Sequence, residues 1–187
     1  ELSSTNAAAV LKLAALNAIR GPLVVNGGIM RPTVVSAANS ATGVVVNAGG
    51  AFDANGFEFS FHSLGGDGGV YSNGAVTVTG SVVPSNTTFT VEDIVFGGGA
   101  VLSCPVEGDA ENGWTAPYLT VTKSVSKAGS SAFVDLGREP DGLLPKYTSV
   151  KVAEVAPGIV FPQMQVINAG CAGTVTSLKR RRRDDGS

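Results

Sequence analysis

The sequence predicts a mainly β protein: an antiparallel β-sandwich or barrel of short strands with one N-terminal α-helix. Three observations lead there. β-branched residues and glycine are plentiful, whereas Glu, Lys, Gln and Met are scarce, a balance that favours strands and tight turns over helices. Turn signals separate short apolar runs roughly every ten residues, as in all-β domains. No helical segment alternates with these runs, which argues against a parallel α/β sheet.

In chain order, residues 3–20 read as the helix. Ser3, Ser4 and Thr5 offer N-cap oxygens, residues 7–19 are mostly good helix formers, and Gly21-Pro22 ends the run. Only Asn6, Lys12, Asn17 and Arg20 are plainly polar. Such a helix needs cover on most sides, from its own domain or from a partner subunit. Leu23-Val24-Val25-Asn26-Gly27-Gly28 and Val44-Val45-Val46-Asn47-Ala48-Gly49-Gly50 resemble each other. Two copies fall short of the three stacked units that a solenoid requires, so the match reads as shared strand-and-turn chemistry.

Phe57, Phe59 and Phe61 alternate with Glu58, Ser60 and His62 after an Asn55-Gly56 turn. That alternation predicts a half-buried strand with three rings inward. Further strands read at residues 70–71, 75–83, 87–96, 100–104, 118–125, 132–136, 148–155, 159–161 and 165–167. The chain thus divides into an N-terminal helix and extended segment (1–36), a β-sandwich domain (37–175) and a flexible basic tail (176–187).

Cys104 and Cys171 are the two cysteines. Neither lies in a Cys-x-x-Cys or beside the lone His62, so a disulfide is expected rather than a metal or redox motif. A start at Glu1 in place of Met, the sequon Asn86-Thr87-Thr88 and the Lys179-Arg180 processing-type pair agree with secretion and with glycosylation at Asn86. No apolar run is long enough for a transmembrane span. The tail carries Lys179, Arg180, Arg181, Arg182 and Arg183, five of the 13 basic residues, beside Asp184 and Asp185. The remaining 8 basic residues face 13 acidic ones, so nucleic acid is expected to bind through the tail or not at all. The run otherwise reads as a processing site or an electrostatic tether.

Catalytic constellations are sparse. A nucleophilic triad needs a base, and the one histidine, His62, falls on the polar side of its strand. No serine sits in a Gly-x-Ser-x-Gly elbow. Glu58, Asp67, Glu92, Asp93, Glu107, Asp109 and Glu111 could supply a carboxylate pair for glycoside hydrolysis, but they read as solvated loop acids. Residues 107–112 place acidic oxygens at odd positions without the EF-hand spacing. The glycine segments 65–69 and 97–99 lack the Lys and the following helix of a phosphate loop. Trp114 and Tyr118 read as core anchors or, if exposed, as contact aromatics. The expectation is a secreted protein without enzymatic activity, cofactor or metal. It would meet a protein or cell-surface partner as a cell-wall or matrix component or an effector-like binding protein. The second expectation is self-assembly, as a subunit of a virion shell, decoration layer or extracellular filament.

Overall fold

A computed structural model of the chain describes residues 2–15, 19–85, 88–109, 111–138 and 150–169. The described strands confirm a mainly β chain and overturn its expected architecture. Thirteen strands form one sheet in which every strand pairing is parallel; the antiparallel pair is a small separate hairpin. The described strands form no antiparallel sandwich. The expected N-terminal helix is also absent from the described residues. Within it, Val10–Leu13 is strand β1, and the helical content of the described chain is a single 3-10 turn at Val35–Ala37.

The pairings sort the strands onto three faces that the chain visits in rotation. Face I stacks β2 (Leu23–Val25), β4 (Gly43–Val46), the end of β6 (Phe59–Gly66), the end of β7 (Val70–Pro84), β9 (Val101–Ser103), β13 (Phe133–Arg138) and β15 (Gln165–Ala169). Face II stacks β1, β3 (Gly28–Pro32), β5 (Gly50–Asp53), the start of β7, the start of β8 (Thr88–Phe96), the start of β12 (Tyr118–Lys127) and β14 (Ala153–Val155). Face III takes the start of β6, the middle of β7, the end of β8 and the end of β12. The long strands bend around corners, and their registers shift there, between Phe61 and Ser63, Tyr71 and Ala75, and Val121 and Ser124. This is a parallel β-solenoid.

Stacking explains the near-repeat in the sequence. Leu23 lies on Val44, Val44 on Leu64, Leu64 on Val82 and Val82 on Leu102. The Leu23 and Val44 segments are therefore successive coils, and their likeness is structural rather than fortuitous. Each inward position becomes a file along the axis. Met30, Phe52, Tyr71, Val91 and Val121 form one file, and Phe61, Val78 and Phe96 another, all fully buried. The phenylalanine alternation holds: Phe59 and Phe61 are buried, Phe57 is half-buried, and Glu58, Ser60 and His62 are exposed. Phe59 and Phe61 stack at 5.6 Å, and Phe52 stacks on Tyr71 at 5.2 Å. Within this core the Tyr71 hydroxyl is the one buried polar side-chain atom with no hydrogen-bond partner among the described residues.

Two corners are stapled by polar ladders. Between faces I and II, Asn26 Nδ2 donates to Ser3 Oγ (3.3 Å) and Asn47 Nδ2 to Asn26 Oδ1 (2.7 Å), and the Asp67 amide donates to Asn47 Oδ1 (3.2 Å). Between faces II and III, Arg31 pairs with Asp53 (2.6 Å), Asn73 Nδ2 donates to Asp53 (3.0 Å) and Asn73 N to Glu92 (2.7 Å), and Lys123 pairs with Glu92 (2.6 Å). Gly66 sits where the backbone turns onto face II. Its φ of +137° and the collision a Cβ would make with the Val46 backbone leave room only for glycine.

Candidate functional site: a trough beside the hairpin corner

Outward positions on face I form the column Val45, Gly65 and Val83, each stacked on the next, and Ser103 follows Leu102, the partner of Val82. Beside it lie two adjoining hollows. One, of about 230 Å³, is lined by Val45, Asn47, Ser63, Gly65, Val83 and Ser85 among others. The other, of about 320 Å³, is lined by Val83, Pro84, Ser85, Ser103, Pro105, Glu107, Thr115, Ala116 and Pro117. They share Val83 and Ser85, so together they form one trough across the coils of β4, β6, β7 and β9.

A hairpin closes one end of the trough. β10 (Glu107–Asp109) pairs antiparallel with β11 (Gly113–Thr115). Asp109 Oδ1 accepts from the amides of Glu111 (2.9 Å) and Asn112 (2.7 Å), and Asn112 Nδ2 reaches both carboxylate oxygens, at 3.0 and 2.9 Å. Hydrogen bonds from Asn112, and then from the Glu111 amide, hold the Asp109 carboxyl below its ordinary pKa. Of the acids at odd positions, Asp109 thus builds a turn, and no group of three or more His, Cys, Asp or Glu able to hold a metal occurs among the described residues.

Between β9 and β12, on the way from face I to face II, the chain leaves the stack for the hairpin. β13 and β14 lie on faces I and II, and most of the chain between them falls outside the described residues. Elsewhere the route from face I to face II is short.

Other residues singled out in the sequence scatter. His62 is exposed on face III, its ring lying where any side chain at Gly80 would have to go. Asp93 accepts from Ser124 Oγ at 2.7 Å. Lys123, and to a lesser degree the Asn73 amide, hold the Glu92 carboxyl below its ordinary pKa against the effect of burial. Trp114 is half-buried on the hairpin opposite Gly108. Tyr118 is half-buried, with the Lys151 ammonium 3.8 Å from its ring centroid. Cys104 is fully buried, its Sγ 3.7 Å from the Val152 carbonyl oxygen. Burial, then the nearby Asp135 carboxylate, pushes its thiol pKa up to about 12, which leaves it inert as a nucleophile. Cys171, Asn86 and Lys179 to Arg183 lie outside the described residues. Among the described helices none is long and apolar enough to cross a membrane.

The trough went unnoticed in the sequence because Ser85, Ser103, Pro105 and Pro117 are distant in the chain and belong to no motif. The usable signal was the change in coil length after residue 103. No family model, curated protein or solved structure matches the chain. The class rests on the geometry itself: a parallel β-solenoid with a trough beside its insertion-bearing corner.

Proposed function

We propose that this is a secreted, non-enzymatic protein that acts by surface contact, as a cell-wall or matrix component or an effector-like binding protein, and that the trough is its contact surface. The observation that carries the reading is the hairpin insertion at the corner beside the trough. In stacked-repeat proteins the coil is a fixed frame, and insertions gather on the face that meets a partner. Among the described residues Glu107 is the one carboxylate lining the trough, which supports binding over acid–base cleavage, since hydrolysis of a glycoside takes two such groups. Secretion rests on the cysteines and the sequon.

Ser103→Trp should fill the trough, and Ser60→Trp on face III serves as its control. Adhesion to purified cell-wall, matrix and cell-surface preparations should fall with the first variant and persist with the second. Loss with Ser60→Trp alone would place the contact on face III.

One observation favours the second reading, a subunit of an ordered assembly. Among the described residues β1 pairs on one side only, with β3, and its Val10 and Leu11 are 43 % and 40 % exposed. An open parallel edge with apolar side chains is a template for another strand. Light scattering on the sized protein decides: a concentration-independent monomer removes this reading, and a regular assembly supports it.

A further inference from the structure

We infer that Asn112 is a site of spontaneous covalent modification, where the side chain closes on the Gly113 amide nitrogen and converts to aspartate and isoaspartate. The inference does not depend on the reading of the trough as the contact surface. The chain holds four Asn-Gly pairs: Asn26-Gly27, Asn55-Gly56, Asn73-Gly74 and Asn112-Gly113. In each, the glycine brings no side chain to hinder the approach of its nitrogen to the preceding carboxamide carbon. The pair chemistry is the same at all four, and the fold separates them.

Three pairs lie at solenoid corners and are tied to neighbouring coils. Asn26 Nδ2 donates to Ser3 Oγ and Asn26 Oδ1 accepts from Asn47, while Gly27 is buried against the Ser4 carbonyl. Asn55, at φ 55°, donates from Nδ2 to the Pro32 carbonyl (3.1 Å). The Gly56 amide, which would have to attack it, donates to the Asn73 carbonyl (2.6 Å). Asn73, at φ 58°, is bonded to Asp53 and Glu92, and Gly74 sits against the Phe57 carbonyl. Ring closure swings the glycine nitrogen onto the side chain, so at these three it must first break contacts between coils.

Asn112 is held only within its own turn. Its amide and its Nδ2 both donate to Asp109. Residues 111–113 are exposed, and a Cβ on Gly113 would meet nothing within 4 Å. The hairpin forms a separate two-stranded sheet, an arrangement of marginal stability. Its turn can therefore open without disturbing a rung of the solenoid. In the open turn a bond forms from the Gly113 nitrogen to Asn112 Cγ, the Cγ–Nδ2 bond breaks, and the displaced amide leaves as ammonia, taking up the proton that the nitrogen loses. Water then opens the cyclic imide at either carbonyl. The product puts a carboxylate where an amide donated to Asp109, so the turn loses those bonds and gains repulsion between like charges.

The experiment is incubation of the full chain at mildly alkaline pH, native and in strong denaturant, with peptide mass mapping of all four pairs over time. In the native chain Asn112 should convert at least about tenfold faster than Asn26, Asn55 or Asn73, because its turn opens apart from the stack. In denaturant the gap should close. Faster conversion at any corner pair, or equal rates at all four in the native chain, would overturn the site. A gap that persists in denaturant would trace the selectivity to neighbouring residues and overturn the structural argument. Hydrogen exchange on Asn112→Asp reads the consequence. Amides of residues 107–115 should exchange faster than in the parent while those of β6 to β8 are unchanged, and unaltered exchange in the hairpin would contradict the predicted loss of its turn.

Discussion

The solenoid has a regular part and an interrupted part. From Leu23 to Leu102 the face I file advances by 21, 20, 18 and 20 residues per coil, through Val44, Leu64 and Val82. From Leu102 it advances by 32 to Val134 and by 32 again to Val166. The inward files continue across the change, so the added length does not alter the faces. A parallel coil needs only its inward side chains and its backbone ladder, and a corner can hold two residues or a hairpin. The regular part supplies a shaft and most of the trough's lining, and the hairpin supplies the wall at one end.

If that division is right, core substitutions in the shaft should cost most. Phe61 is buried and packs on Phe52 and Phe59, so Phe61→Ala should destabilise by about 3–5 kcal/mol in denaturant unfolding. Val125, half-buried on the last described rung of face III, should cost less than half as much when cut to Ala. Equal losses would erase the contrast.

The corner ladder should contribute less and titrate. Asp53→Ala removes the partner of Arg31 and Asn73 and should cost about 1 kcal/mol, because the pair is partly exposed. Burial works to raise the Asp53 pKa, but hydrogen bonds from the Asn55 amide, Asn73 and Arg31 outweigh it and leave it lowered; Glu92 is lowered chiefly by Lys123. Carboxylates with depressed folded-state values add stability above their unfolded pKa and lose it as pH falls through the folded value. Thermal midpoints should therefore decline below the ordinary carboxylate range. The Asp53→Ala variant should decline less steeply than the parent, and parallel curves would assign the acid sensitivity elsewhere.

The smallest effect should come from the hairpin. Replacing residues 107–115 with a short Gly-Ser link removes a mostly exposed hairpin that forms a separate two-stranded sheet. Stability should change by less than about 0.5 kcal/mol while one wall of the trough disappears. Unfolding of this variant would show that the insertion supports the shaft.

Much of the local structure was legible. Phe57, Phe59 and Phe61 announced their strand and its inward face, and glycine marked the corners. Strand direction was hidden because a solenoid corner and a hairpin use the same chemistry: Asn55 at φ 55° and Gly56 at φ +80° suit a hairpin turn yet join faces II and III. The 21-residue likeness carried the fold, but the third coil reads Leu64-Gly65-Gly66 and the fourth Val82-Val83-Pro84 where the second has Val44-Val45-Val46. Stacking asks only for small or apolar residues at fixed phase, so the repeat decays in sequence while the geometry persists. Around Val10–Leu13, alanine-rich helix propensity lost to the backbone bonds offered by β3, a tertiary override of a weak local preference.

Parallel stacking is the claim on which the rest depends, and a cysteine pair tests it directly. Thr77 and Val95 are register partners on adjacent coils, both outward on face III, and Ser60 lies one coil further on, paired with Thr77. Adjacent coils are about 4.8 Å apart and alternate coils about twice that, and a disulfide spans the first distance but not the second. Under mild oxidation, Thr77→Cys with Val95→Cys should cross-link within the folded monomer, and Ser60→Cys with Val95→Cys should stay reduced, as read by peptide mass mapping. Cross-linking of the second pair with none of the first would contradict the solenoid.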